Sequence, residues 1–400
     1  MTNFSWLFFF NTLGYAFSLI TFPILIHKFG LEEIGAVFMV QALIFGMASI
    51  ANYSFVYFIP TVSKKVTENQ TYFIKLWNVV LYTRTSLSLL LAVLSIGIVH
   101  FFYPHYFMLW LLSLPLLIPK IINPALFCNA LETNHFVFKI GFCSKLLFLI
   151  LISFATKSIY VNSFLALSEI VAILWYLKRI NSGFFKFQLL SFSDLIRFLK
   201  QTRSLFLVNI VSLLKPHSTL PIIGYVFGNT YVALFAIAEK VINSIRGISG
   251  MLFVSYFPMY NKNDIKVKVI SLKVLMSTLI LSALFIVCFW YLSPHIVYFL
   301  NDFKPSELAT SALQIMSLSI PLFFLIIPLF SYVLNKKKWN VILYFAIVQL
   351  VFFIGFLLIW IDENIIGVAQ SLVVSEYAIV LCYAFYWYRR VQTEALNSKR

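Results

Sequence analysis

Nine ionisable side chains stand inside the apolar runs of this sequence: the bases Arg84, Lys120, Lys215, Lys240 and Arg246, the acids Glu169, Glu239 and Glu376, and His217. A charged side chain at the centre of a bilayer costs about 2.5 to 3.5 kcal/mol even on the lenient insertion scale, so each of them needs a partner or a wet cavity. Fixed cations at several depths can replace the lost hydration of an anion, phosphate above all. Arg84, Lys120 and Lys240 have a second use open to them, the first two as snorkelling interface residues and the third as partner of a nearby acid. The carboxylates can carry a coupling proton or cation, or neutralise these bases. Glu239 and Lys240 are neighbours in sequence but project in different directions on a helix, so each needs another partner. His217, two residues from Lys215 and directly after Pro216, can titrate in a cavity or serve as a structural histidine beside a kink. No glycine-rich phosphate loop, HExxH pair or nucleophile elbow accompanies them, so neither ATP use nor enzymatic hydrolysis is expected. Cys128, Cys143, Cys288 and Cys382 lack metal-site or disulfide spacing and read as packing residues, and no metal or cofactor is expected.

The elements that position these groups follow from composition. The chain has 400 residues, 61% hydrophobic and 11% charged, with a mean hydropathy of +0.92, against about 25% charged residues in soluble domains. Apolar runs of roughly 20 residues recur along its whole length, the mark of helices crossing a hydrocarbon layer. Barrel strands would alternate, and stretches such as Leu87 to Phe102 or Val341 to Trp360 do not. The expected fold is an all-α polytopic membrane protein of about twelve spans. Those of the first half begin near Phe4, Gly35, Leu76, Tyr106, Lys139 and Tyr160, and those of the second near Ser204, Tyr231, Val269, Glu307, Trp339 and Asn364. The stretch from Phe4 to Ile26 reads as a retained first span rather than a signal peptide, having no basic segment before it and no small-residue cleavage site.

The connecting loops alternate sharply in basic content, and most of the 30 Lys and Arg residues fall on one side. Only Lys28, Lys157 and Lys304 fall on the other. The positive-inside rule then puts both termini in the cytoplasm. This accounts for the +16 net charge without nucleic acid as a partner. Every outside loop is short, too short for an extracellular catalytic domain. Tyr103, Tyr106, Trp110, Tyr291, Tyr298, Trp339, Trp360, Tyr386, Trp387 and Tyr388, near span ends, read as interfacial belts. By distance along the spans, Lys215 is roughly 16 Å from the inside end and Arg246 roughly 22 Å from the outside end.

Residues 23 to 60 align without gaps on residues 221 to 258, with Pro23/Pro221, Phe29/Phe227, Gly30/Gly228 and Pro60/Pro258 among the identities. A repeat of six spans relates two bundles by an axis along the membrane normal. The organisation expected is a six-helix bundle over 1–178, a basic and aromatic interfacial elbow over 179–203, a second six-helix bundle over 204–388 and a cytoplasmic tail over 389–400, with the bundles around a central cavity. Ser193-Asp194 has the chemistry to cap a short helix within the elbow.

Two segments resemble the bacterial polysaccharide and O-antigen flippases of the multidrug/oligosaccharidyl-lipid/polysaccharide (MOP) exporter superfamily. One is the Pro23-x(6)-Gly30-x(4)-Gly35 turn between the first two spans. The other runs from Gly228 through Tyr231 to Ala238-Glu239-Lys240 and on to Phe257-Pro258. The resemblance covers essentially the whole chain. It implies a multi-pass protein of the bacterial inner membrane, not an enzyme, that flips an undecaprenyl-pyrophosphate-linked oligosaccharide, an O-antigen or capsule repeat unit. Its partners would be that substrate, membrane lipids, and a polysaccharide polymerase and chain-length regulator. On this reading Lys215, Arg246, Lys240, Lys120 and Arg84 face the anionic headgroup, while Glu169, Glu239, Glu376 and His217 are candidates for ion coupling. The chain departs from the family where Ser218-Thr219-Leu220-Pro221 replaces an acidic residue late in span seven, which weakens an ion-coupling role at that point. A multidrug or small-amphiphile exporter of the same superfamily is the nearest competing reading, expected to hold more acids inside. A membrane glycosyltransferase or polymerase, with Glu32 and Glu33 as carboxylates, is the more distant one.

Overall fold

The computed structural model describes residues 3–53, 55–131, 133–179, 186–189, 192–260, 267–335 and 338–397. Among them the chain is helical and forms no strand. The helices are α1 (Asn3–Phe29), α2 (Leu31–Ala51), α3 (Phe55–Thr61), α4 (Ser63–Glu68), α5 (Gln70–Phe102), α6 (Phe107–Ser113), α7 (Leu117–Ile122), α8 (Ala125–Ala130) and α9 (Asn134–Phe154). They continue as α10 (Val161–Arg179), α11 (Phe192–Val226), α12 (Asn229–Tyr260), α13 (Val267–Leu300), α14 (Glu307–Ser317), α15 (Ile320–Asn335), α16 (Trp339–Trp360) and α17 (Asn364–Asn397). Among the described residues nine stretches are long and apolar enough to cross a membrane, the last of them, Trp339–Arg389, holding both α16 and α17. The shorter apolar stretch Leu13–Phe29 of α1, and α12 with its three charges, complete the pattern. Leu89, Leu90, Val93 and Leu94 on α5 and Leu284 and Val287 on α13 are more than half exposed. Surfaces of that kind belong in acyl chains, and the chain is a multi-pass membrane protein.

Local chemistry sets where the helices begin and break. Gly30 (φ 82°) divides α1 from α2 and Gly228 (φ 95°) divides α11 from α12, a region of φ that glycine enters without a Cβ clash. The repeat is therefore visible in the backbone. Ile34 N–H donates to Gly30 O, and 198 residues on Val232 N–H donates to Gly228 O. Span four is broken. A tight turn at Leu114–Leu116 separates α6 from α7, and α7 stops at Asn123, whose ψ of 115° is the extended conformation imposed by Pro124. The Asn123 side chain then accepts from Ala125 N–H at 2.8 Å to start α8. Span ten divides into α14 and α15, and Ser306 opens α14 by accepting from Ala309 N–H.

The elbow differs from its expected form. No separate capped helix forms at Ser193-Asp194; α11 runs unbroken from Phe192 to Val226, because nothing between Asp194 and Arg203 breaks a helix. Residues 180–185 and 190–191 of the elbow lie outside the described residues. Trp110 is also not a belt residue: it is 1% exposed and stacks on Phe107 at 5.8 Å.

The chain folds as two compact units, one of residues 1–21 and 25–233, the other of residues 22–24 and 234–400. In the first, α2 packs along α11, and α9 pairs with α10 as a hairpin. One end is closed by an aromatic core in which Tyr53 stacks on Phe206 at 4.1 Å and Trp77 and Phe73 meet Phe127 edge-on. Tyr53 Oη also donates to Leu199 O. In the second unit the α16–α17 hairpin packs against α14 and α15, with Phe345 and Tyr383 in edge contact at 4.7 Å.

Candidate functional site

The charged groups of the first unit are built on four helices. Lys215 lies in the second half of α11 and is buried, followed by Pro216, His217 and Pro221. Each proline removes a donor from the helical ladder, and Thr219 Oγ1 turns inward to donate to Lys215 O at 2.8 Å. The α2–α11 seam explains how so polar a stretch is packed. Asn209 donates to Ser49 O at 3.1 Å, a Cβ on Gly46 would sit 3.1 Å from that of His217, and the backbone of Gly35 rests on the Asn229 carbonyl so closely that any Cβ would overlap it. Glycine at 46 thus lets the antiparallel α2 and α11 approach where a bulkier residue would hold them apart, and glycine at 35 lets α2 meet the first residue of α12. At the Gly228 end Tyr106 Oη donates to Asn229 Oδ1 at 3.0 Å, and Tyr103 meets Tyr225 edge-on.

Lys120, on α7, gives both oxygens of Glu169, on α10, a charged hydrogen bond at 3.0 and 2.7 Å. The same ammonium lies 5.1 Å from the centre of the Phe45 ring of α2. Arg84, on α5, is 3% exposed and is spent on the chain itself: its Nη1 donates to Ile121 O at 3.2 Å and Asn123 O at 3.1 Å, the carbonyls left over where α7 breaks. Lys28 does similar work at the end of α9, donating to Ile152 O and Ser153 O.

In the second unit Arg246 Nη2, on α12, donates to Glu376 Oε1, on α17, at 2.6 Å, and its guanidinium stacks 4.4 Å from the Phe323 ring of α15. The Arg246 side chain is 41% exposed and that of Glu376 only 11%. Lys240 lies over the Phe22 ring at 5.5 Å. Glu239 is hydrogen-bonded by Asn243 one turn on and lies in the field of Lys240 and Arg246.

The structure therefore joins Lys120 with Glu169 and Arg246 with Glu376, and sets Lys215 and His217 together on one proline-bounded stretch. Arg84 stands apart at its helix end. Sequence reasoning did not find Phe45 and Phe323, because nothing distinguishes two phenylalanines among the 44 in the chain. It also passed over a buried polar cluster, in which Asn162 donates to Ser113 Oγ at 2.9 Å and Gln41 donates to Asn162 Oδ1 at 3.3 Å. Polar residues recurring in apolar runs were the available signal for it.

No protein-family model matches the chain, and no curated protein matches it in sequence. Solved structures do. A multidrug resistance MATE family transporter of the MOP superfamily, in an inward-facing conformation, superposes with a TM-score of 0.72 at 14% identity, over 96% of this chain and 95% of the other. The lipid II flippase MurJ, in an inward closed conformation, gives 0.70 at 16% identity, over 96% and 87%. The chain has the MOP transporter fold. A MATE transporter in a bent conformation matches at 0.67 and 12% identity over 98% of this chain and 95% of its own. Proteins of this fold named as a multidrug transporter and a lipid II flippase share one helical frame, so the frame by itself does not assign a function.

Proposed function

We propose that this protein is a flippase that carries an undecaprenyl-pyrophosphate-linked oligosaccharide, an O-antigen or capsule repeat unit, from the inner to the outer leaflet of the bacterial cytoplasmic membrane. The observation that carries this reading is the excess of cations inside the spans, five bases to three acids, with two of the acids already engaged by Lys120 and Arg246. Such an interior suits an anionic headgroup better than a cationic drug. Lys215, near mid-membrane by distance along its span, and Arg246, somewhat toward the inside, hold the pyrophosphate in passage, and Lys240 and Lys120 supply charge at other depths. Because the cytoplasm is electrically negative, outward movement of anionic charge is helped by about 2.3 kcal/mol per charge per 100 mV. The protein need only lower the barrier, and single cations at several depths do so without trapping the cargo. Alternating access then comes from rocking of the 1–178 and 204–388 halves about the 179–203 elbow.

The likeness to MATE transporters favours one other reading, a small-amphiphile exporter. One experiment separates the two. Deletion of the gene, followed by extraction of lipid-linked sugars, should show the intact repeat unit accumulating on its carrier, with drug susceptibility unchanged. Normal lipid-linked sugars together with heightened sensitivity to cationic amphiphiles would overturn the flippase reading.

A further inference from the structure

The two ion pairs of the interior share a construction. In the first unit Lys120 is held between the Glu169 carboxylate at 2.7 Å and the face of Phe45 at 5.1 Å. In the second, Arg246 is held between the Glu376 carboxylate at 2.6 Å and the face of Phe323 at 4.4 Å. In both, the acid comes from the last span of its half, α10 or α17. Neither cation is enclosed: the Lys120 side chain is 29% exposed and that of Arg246 41%. Arg84 gives the contrast of an enclosed cation whose Nη1 is held by backbone carbonyls.

An ion pair sealed in the protein keeps its partners, because in a low dielectric a charge left unpaired is costly and no other ligand competes for either group. A pair with its cation open on one side does the opposite and leaves the cation within reach of a second anion. The ring matters here. It attracts the cation through its quadrupole without neutralising it, so the side chain keeps its position when the carboxylate leaves. A carboxylate and a phosphate oxygen present the same chemistry to an ammonium or guanidinium, and the guanidinium fork fits both.

From this we propose that Glu169 and Glu376 are place-holders for the pyrophosphate, each occupying the cation of its own half until the headgroup displaces it. The inference rests on the flippase reading and adds to it a role for the acids: they keep the cation sites formed when empty and, by competing for the cation, help the headgroup leave. They set affinity by subtraction. Removing the competitor should tighten binding and slow transport, whereas losing a residue that supports the site would weaken binding.

The test uses the full chain in lipid nanodiscs and two probes, inorganic pyrophosphate and undecaprenyl pyrophosphate, with equilibrium binding measured for the wild type, Glu376→Gln, Glu376→Asp, Glu169→Gln and Glu169→Asp. The Gln variants should bind about tenfold tighter than wild type, and the Asp variants, whose shorter carboxylates compete less well, should fall between. Arg246→Ala added to Glu376→Gln should abolish the gain. In vesicles the Gln variants should export more slowly despite the tighter binding. Tightening toward both probes means that the pyrophosphate alone is recognised; tightening toward the lipid probe alone means that the carrier chain is needed as well. If the wild type binds and the Gln variants bind equally or more weakly, the carboxylates are not place-holders while the flippase reading stands. If neither Gln nor Asp variants elute as folded protein, the pairs are structural fastenings and the inference falls. If no form binds either probe, both readings fall together.

Discussion

Arg84 and Arg246 are the same residue in similar apolar surroundings, yet the structure gives them opposite uses. Arg84 is 3% exposed and spends its guanidinium on the carbonyls of Ile121 and Asn123, where α7 breaks ahead of Pro124. Arg246 is 41% exposed, donates to the Glu376 carboxylate and lies over the Phe323 ring. The difference lies in the neighbours. A helix that ends inside a membrane leaves carbonyls that water cannot reach, and these claim a nearby donor outright. A cation whose partners are side chains keeps the option of exchanging them.

The contrast predicts that the two arginines fail in different ways. Arg84→Ala should have the largest effect. It strands the span-four carbonyls, each charge-assisted bond being worth about 1.5 to 3 kcal/mol, so the protein should lose its monodisperse elution peak and fall in membrane abundance. Arg84→Lys should rescue only part, since one ammonium cannot reproduce the fork. Full abundance and thermal stability in Arg84→Ala, with export alone lost, would reverse the assignment of the two residues.

Next in size are the interior cations of the proposed path. Arg246→Ala and Lys215→Ala should each cut surface-polysaccharide export severely at unchanged protein level, Arg246→Lys should keep part of it, and Arg246→Glu should abolish it. Quantitative immunoblotting beside a polysaccharide assay separates these outcomes from a folding defect. Normal export by both Ala variants and by Arg246→Glu would remove these residues from the headgroup path.

Between these and the smallest effect lies a change that carries no charge. Gly35→Ala drives a Cβ into the Asn229 carbonyl, an overpacking that costs about 1 to 3 kcal/mol. A cysteine placed at Asn229 should then react faster with an impermeant thiol reagent than it does beside Gly35. An unchanged rate would mean that the contact between α2 and the start of α12 absorbs the extra atom elsewhere.

Much of this frame was legible in the sequence. The expected starts at Glu307, Trp339 and Asn364 coincide with the first residues of α14, α16 and α17, because a run of about 20 apolar residues bounded by polar ones has few other solutions. Gly30 and Gly228 were visible as a repeat, and their positive φ values give that repeat its physical reason. What could not be read was which cation meets which anion. Lys120 and Glu169 are 49 positions apart and Arg246 and Glu376 are 130 apart, so their pairing depends on helix rotation and tilt, which hydropathy does not encode. The use of Arg84 was hidden for a related reason: a carbonyl left over at a break inside a span leaves no mark on composition.

The smallest effect tests what most sharply separates Arg246 from Arg84, the aromatic face beneath it. Phe323 is 6% exposed, so truncating it removes packing as well as the cation–ring attraction, and a single variant cannot divide the two. A double-mutant cycle can. Phe323→Leu, Arg246→Met and their combination, compared by thermal unfolding in detergent, should give a coupling of about 0.5 to 2 kcal/mol between ring and guanidinium, the range for cation–π contacts from exposed to desolvated sites. The cycle of Phe45→Leu with Lys120→Met should give a smaller coupling, because the ammonium is farther from its ring, 5.1 Å against 4.4 Å, and is more strongly hydrated. Coupling in the first cycle indistinguishable from zero would mean that the ring only fills space. The ring would then not be what keeps Arg246 in place when the Glu376 carboxylate is exchanged for phosphate, and the place-holder reading would lose that support.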